Sequence, residues 1–203
     1  MKIVGITGPS WAGKTTLCGI IEKNYNARII DADKIAKRLS NDKESEYYKK
    51  MVELFEDIAI MEDGSLDRKR IASIIYFDDD KRNKLNKLTF KYVVEEMKKE
   101  ILETRYADIV IIDAPLLYEA KMHKICDFVI AVLASENNKL ERICQRDGID
   151  EEFAKKRLEI QNKDEFFVRN ADYIIYNDKD VEHLEKSFKN ILEEVWKLFL
   201  KYY

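Results

Sequence analysis

The stretch GITGPSWAGKTT, residues 5–16, sets Lys14 and Thr15 directly behind Gly13, with Gly8 upstream. This completes the pattern G-x-x-x-x-G-K-[ST], in which backbone N–H groups converge on phosphate oxygens. The lysine of such a loop reaches the terminal phosphates, and the threonine hydroxyl sits on Mg²⁺. Glycine is wanted where the loop turns tightly or where a side chain would block the phosphate. The pattern has meaning only between a strand and a helix. MKIVGIT precedes it as a short buried strand, and LCGIIEKNY follows as a helix whose N-terminus faces the anion. A chance match in a glycine-containing turn would lack both flanks.

A phosphate loop alone does not separate a kinase from a GTPase or a motor ATPase, so the other strand ends decide. ARIIDADKIAKRL puts Asp31 and Asp33 two residues apart just before a helix. A carboxylate there accepts the proton of an acceptor hydroxyl, or orients that hydroxyl for in-line attack. Helix N-capping, for which aspartate is favoured, accounts for one of the pair, and Asp33 is the choice for catalysis. DIVIIDAPLLYEA ends an apolar strand at Asp113, where a carboxylate would bind Mg²⁺ through a water beside Thr15.

In LERICQRDGIDEEFAKKRLEIQ, Arg142 and Arg146 share a helix face, and Arg157 and Gln161 repeat that spacing beyond a D-G break. Arginine forks supply the positive charge that a transferring phosphoryl group needs around its equatorial oxygens. On a mobile segment they would close as a lid and exclude water, whose attack on ATP is the competing reaction. Pairing with Glu141, Asp147, Glu151 and Glu152 is the plainer role for the same arginines. No N-K-x-D base-reading sequence of a GTPase occurs.

Five apolar runs must position these groups: KIVGIT, ARIID at 27–31, DIVIID at 108–113, DFVIAVLA at 127–134 and DYIIYN at 172–177. They are continuous rather than alternating, as expected of parallel strands buried on both faces. Helical patterns lie between them, at 43–56 and 67–104, the latter with a stripe of Leu88, Tyr92, Val93, Met97 and Ile101. The last segment repeats the stripe with Leu184, Phe188, Ile191, Val195 and Leu198. Strands alternating with helices give an α/β class: a five-stranded parallel sheet flanked by helices. Ligands of such sheets bind beyond the carboxyl ends of the strands, where Gly8, Asp31, Asp113 and Asn177 emerge. The stretch 60–105 has no strand and reads as a helical insertion in a core of about 1–59 and 106–203. The lid falls at about 138–165.

The 203 residues suit one compact unit, with no linker, repeat or low-complexity tract. Net charge is −3, which leaves no electrostatic footprint for nucleic acid or an anionic membrane. No apolar run reaches the 18 or so residues of a membrane span. Cys18, Cys126 and Cys144 are scattered, without C-x-x-C spacing, and read as reduced thiols; with no signal peptide in view, a cytoplasmic location is expected. The terminal KLFLKYY reads equally as a packed helix end or as a contact patch, so the oligomeric state stays open. His123 and His183 fall at no strand end and are expected at the surface.

In combination the motifs resemble dephospho-CoA kinase. The phosphate loop, D-A-D-x-I-A-x-x-L, L-D-R before a helix, D-A-P-L-L-Y-E, the R-x-x-x-R lid and A-D-Y-I-I-Y-N run in family order from residue 1 to about 177. The resemblance implies a P-loop kinase that phosphorylates the ribose 3′-hydroxyl of dephospho-CoA with ATP and Mg²⁺, the last step of coenzyme A synthesis. It implies that Gly8 and the run Trp11, Ala12, Gly13, Lys14, Thr15 and Thr16 cradle the ATP phosphates. Asp33 would be the catalytic carboxylate, Arg142 the lid arginine with Arg146 near the nucleotide, and Asn177 would lie near the adenine. Asp67, Arg68 and the helices to about 104 would bind the acceptor, with Asp31, Pro115, Leu116, Leu117 and Glu119 at its border.

Two positions depart from the family. Its loop usually reads G-G-I-G-S-G-K-[ST], whereas this one carries Pro9, Trp11 and Ala12. In LNKLTFKYV, Phe90 and Lys91 stand where the family commonly has His-Pro. Chemistry alone therefore leaves two other readings: a nucleoside or nucleoside monophosphate kinase, and a regulatory module that binds ATP and transfers nothing.

Overall fold

The apolar runs become strands within a residue of their expected ends: β1 (Lys2–Thr7), β2 (Ala27–Asp31), β3 (Ile109–Asp113), β4 (Phe128–Leu133) and β5 (Tyr173–Tyr176). Helices fill the rest: α1 (Lys14–Asn24), α2 (Ala32–Asn41), α3 (Glu46–Phe55), α4 (Arg68–Phe77), α5 (Asp79–Glu103), α6 (Glu136–Asp147), α7 (Glu151–Glu159), α8 (Asp164–Asn170) and α9 (Val181–Lys201). The structure is a computed structural model. It describes residues 1–159 and 161–201, with side chains at all of these except Asp57, Asp147, Arg157 and 198–201. Leu198 and most of the KLFLKYY end thus lie outside the described side chains.

The five strands form one parallel sheet in the order β2-β3-β1-β4-β5. β1 lies between β3 and β4, with Ile6 opposite Asp113 on one side and Ile130 on the other. Alternate side chains serve the two faces. Val4, Ile6, Ile130 and Val132 pack with Leu17 and Ile21 of α1 and with Leu184 and Phe188 of α9. Ala131 and Leu133 pack with Phe167 of α8. Burial on both faces is why the runs read as unbroken apolar.

β3, β4 and β5 each start one residue after an aspartate. Asp127 Oδ2 accepts the Ile3 amide at 2.7 Å, and Asp172 Oδ2 accepts the Val129 amide at 2.8 Å. At the amino edge of the sheet these carboxylates take amides of the neighbouring strands, which have no further ladder partner there.

The chain divides into two compact units, 1–30 with 106–203, and 31–105. The second begins at Asp31 rather than near residue 60, because α2 and α3 pack on α5. Its core is Tyr47, Met51, Phe55, Ala59, Leu66 and Ile71, with Leu88 and Tyr92 packed against it. The pattern at 67–104 is two helices rather than one run. Asp78 ends α4 and caps α5, its Oδ1 accepting the Lys81 amide at 2.9 Å. Among the described residues no helix is long and apolar enough to cross a membrane.

Candidate active site

β1 leaves the middle of the sheet into the loop at residues 8–13. Gly8 has φ +133° and Gly13 has φ +105°. A Cβ on Gly8 would lie 2.1 Å from the Val132 carbonyl oxygen, and one on Gly13 would lie 2.0 Å from Asn177 Nδ2. Both glycines are therefore dictated by backbone angle and by neighbours. Gly13 is also the N-cap of α1, where no side chain caps the first-turn amides and no acidic residue stands. Asp31, Ser45, Asp67, Asp78 and Ser135 cap α2 to α6 through side-chain oxygens. The amides and positive dipole end of α1 are left for an anionic ligand.

Donors outside the loop hold its carbonyls. Asn177 Nδ2 donates to Ala12 O at 2.8 Å. Arg142 donates from Nη1 to Trp11 O at 3.2 Å and Ala12 O at 3.4 Å, and from Nη2 to Asn177 O at 2.9 Å. The C=O and N–H of a trans peptide point in opposite directions, so fixing the Ala12 carbonyl outward turns the Gly13 N–H into the loop. Lys14 is buried, and its Nζ donates to Gly8 O at 2.9 Å and Pro9 O at 3.0 Å. Ser10 donates its amide to Gln161 Oε1 at 2.6 Å.

Thr15 and Thr16 are exposed in the first turn of α1. Asp113 is buried at the end of β3, and its Oδ2 accepts from Cys18 Sγ at 3.5 Å. A hydroxyl and a carboxylate are hard oxygen donors, the chemistry Mg²⁺ selects. No group of three or more His, Cys, Asp or Glu side chains that could hold a metal occurs among the described residues. An ion here fits the usual pattern for Mg²⁺, in which phosphate oxygens and waters complete the shell.

Trp11 occupies the left-handed region at φ +64°, where a side chain costs about 1–2 kcal/mol. Its indole packs against the buried cluster of Leu140, Ile143 and Ala154, from α6 and α7. The ring is half-buried there, and the apolar area it removes from water works against the strain. The Arg146 guanidinium lies 5.3 Å from the ring centroid, close enough for a cation–π contact. Arg142 thus reaches loop carbonyls and Arg146 the Trp11 ring; the Arg157 side chain is outside those described.

Past β3, Thr7 Oγ1 donates to Pro115 O at 3.2 Å. Leu116 is exposed. Leu117 is wholly buried against Gly5, whose added Cβ would meet Leu117 Cδ2 at 2.7 Å. Leu117 thus fills the space over Gly5 at the strand end. Glu119 is exposed and accepts from Asn162 Nδ2 at 2.6 Å. His123, expected at the surface, is half-buried against the Tyr118 ring at 4.9 Å, and His183 is half-buried as well. Burial pushes the Tyr118 phenol up to about 12. The Cys126 thiol is also pushed up to about 12, by burial and then by Asp127 and Asp172. Both groups stay protonated at neutral pH.

In the helical unit, Asp31 Oδ1 accepts the Lys34 amide at 2.9 Å and so caps α2, while Asp33 is exposed in the first turn. Asp67 caps α4 through the Arg70 amide at 3.0 Å and borders an open cavity of about 640 Å³ with Ile58, Ile60 and Met61. Arg68 donates to Lys37 O at 3.1 Å, Ser40 Oγ at 2.5 Å and Asn41 Oδ1 at 3.1 Å. Phe90 is half-buried, and Lys91 Nζ sits 4.9 Å from the Tyr92 ring.

Three contacts were invisible in the sequence: the Trp11 indole in the lid, Gln161 on Ser10, and Asn162 on Glu119. Each joins distant segments, and no local spacing rule reports on them.

A profile of the dephospho-CoA kinase family matches residues 2–183. A dephospho-CoA kinase of Bacillus thuringiensis is 34% identical over 194 residues, covering 95% of this chain and 96% of its own. One of Arabidopsis thaliana is 32% identical over 197 residues, covering 96% and 84%. A crystal structure from Thermus thermophilus aligns with TM-score 0.79 at 25% identity, over 95% of this chain and 97% of that one. The dephospho-CoA kinase of Campylobacter jejuni shares the fold, with TM-score 0.63 at 24% identity over 96% and 97%.

Proposed function

The chain belongs to the dephospho-CoA kinase family, and on that premise we propose that Lys14, Arg142 and Asp33 carry its reaction. The reaction is ATP-dependent phosphoryl transfer to the ribose 3′-hydroxyl of dephospho-CoA, giving CoA and ADP, the last step of coenzyme A biosynthesis. Gly8 and residues 11–16 cradle the phosphates. Lys14 leaves the Gly8 and Pro9 carbonyls for the terminal phosphates, since a phosphate oxyanion outcompetes neutral carbonyls for an ammonium. Arg142 and Arg146 bring positive charge to the transferring group, and Asn177 borders the nucleotide at the adenine end. Asp33, left by Asp31 to do something other than capping, takes the proton of the attacking hydroxyl.

Thr15 would hold Mg²⁺ directly and Asp113 through a water. When bound, the ion supplies neutralising charge at the phosphates. Asp31, Asp67, Arg68, Pro115, Leu116, Leu117 and Glu119 border the acceptor. Cys18, Cys126 and Cys144 are all thiols, which supports a reducing, cytoplasmic setting.

The observation that carries this reading is the uncapped N-terminus of α1, set behind two glycines whose Cβ positions are taken by Val132 and Asn177. Its test is ADP release from ATP and Mg²⁺ with one acceptor at a time: dephospho-CoA, AMP, CMP, uridine or water. Turnover confined to dephospho-CoA, with the new phosphate on the ribose 3′-oxygen, is expected. Turnover with AMP, CMP or uridine instead would assign a different acceptor.

A further inference from the structure

Among the described residues, lid and loop meet through three kinds of contact. Gln161 Oε1 accepts the Ser10 amide at 2.6 Å, Arg142 donates to the carbonyls of Trp11 and Ala12, and the half-buried Trp11 indole packs against α6 and α7 side chains beside Arg146. Only the third depends on a residue type that the loop pattern does not ask for. Trp11 has φ +64°, a conformation that glycine adopts freely and a tryptophan holds only under constraint. The constraint is the packing of the half-buried ring against Leu140, Ile143 and Ala154, all of which are buried. Loop angle and lid packing are therefore not independent: neither can change without disturbing the other.

We propose that the Trp11 side chain is a positioning residue that docks the α6–α7 lid onto the phosphate loop, so that filling the loop with nucleotide phosphate is transmitted to the lid through the indole. Phosphate oxygens compete with Gln161 for the Ser10 amide and draw Lys14 off the Gly8 and Pro9 carbonyls. Both changes flank residue 11, whose ring carries Arg146. The cation that the lid contributes is thereby placed according to whether the loop is filled. A lid docked in this way keeps water from the γ-phosphoryl until the acceptor hydroxyl takes it. The inference rests on the reading of residues 8–16 as the ATP phosphate loop.

Two measurements test it. Trp196, the second tryptophan, lies in α9 beside the amino end of β3, away from the loop. In Trp196→Phe, emission therefore reports on Trp11 alone. ATP and inorganic tripolyphosphate should each change that emission, and adenosine should not. The second measurement is the ratio of ADP formed to CoA formed, which is one when every phosphoryl group reaches the acceptor. In Trp11→Gly, whose backbone accepts the same φ without strain, the ratio should rise above one while kcat for CoA formation falls about tenfold. Trp11→Phe, which keeps a ring in the lid, should restore a ratio close to one.

A purely structural ring would lower both products together and leave the ratio at one. That result, or emission blind to tripolyphosphate, overturns the proposal. If Trp11→Gly does not fold, the emission of Trp196→Phe still decides. Absence of CoA formation by the unaltered enzyme would instead strike the kinase reading itself, so the two failures are distinguishable.

Discussion

Arg142 and Arg68 make the same kind of contact in different units. Each spreads one guanidinium over several oxygens of a neighbouring segment: Arg142 over Trp11, Ala12 and Asn177 carbonyls, Arg68 over Lys37, Ser40 and Asn41 at the end of α2. The difference lies in what the braced segment is. Arg142 braces the loop between β1 and α1, so on the proposed reading a structural tie and a functional contact coincide. Arg68 closes the C-terminal turn of a helix, whose last carbonyls have no partner within the helix. In the nucleotide unit architecture and chemistry share residues. In the helical unit Asp31, Asp67 and Arg68 are committed to caps and ties, and Asp33 alone of the four is a first-turn acid outside the cap.

The sharpest way to break this contrast is Asp33→Asn. It should lower kcat/KM on the order of a thousandfold while ATP affinity stays within a few-fold, as measured by turnover and by ATP titration. Turnover close to normal would take Asp33 out of the chemistry. Next is Gly13→Ala, which must seat a methyl 2.0 Å from Asn177 Nδ2 at φ +105°. It should abolish measurable ATP binding and cost about 1–3 kcal/mol in thermal unfolding. Adding Asn177→Ala should recover part of the stability but not the binding, because the Ala12 carbonyl then loses its brace.

The arginine pair gives smaller effects. Arg142→Met should depress kcat more than the KM for ATP, by about tenfold. Arg68→Met should cost about 1 kcal/mol of stability and raise the KM for dephospho-CoA more than it lowers kcat. An unchanged KM for dephospho-CoA would leave Arg68 as a helix tie and take it off the acceptor. The smallest effect concerns Asp178. The Ser135 amide, with help from Asn138 and Arg142, holds its carboxyl below the ordinary carboxylate range. Its folded value is depressed, so its contribution is present above the unfolded value and is lost as pH falls through the folded one. Asp178→Asn should therefore lower the melting temperature slightly at neutral pH and flatten the acid side of the profile, the difference from the unaltered protein vanishing at low pH.

How much was legible in the sequence follows the same division. The strand ends, Gly8, Gly13, Lys14 and the Asp31 cap are local: each depends on neighbours a few residues away and on periodicity. Asp78 was just as local, a cap inside F-D-D-D, but a continuous Lys- and Glu-rich pattern masked the break. The start of the helical unit at Asp31 was not local, since it depends on α2 and α3 choosing α5 as their partner. Leu117 sat in the right motif, but which of two adjacent leucines is buried depends on Gly5 in another strand. The role of Trp11 lay further still from any spacing rule, because its pocket is built by α6 and α7.

The brace that finishes the phosphate loop comes from a residue near the far end of the chain. Asn177 reaches Ala12 across a sequence separation of 165 residues, through a strand that can add to the sheet only after β4 is in place. During synthesis the whole glycine-lysine signature leaves the ribosome early, with none of the groups that hold its carbonyls. Completion of the loop is thus deferred until β5 has docked. A chain stopped short of Asn177 would carry the motif intact without the donor that fixes the Ala12 carbonyl.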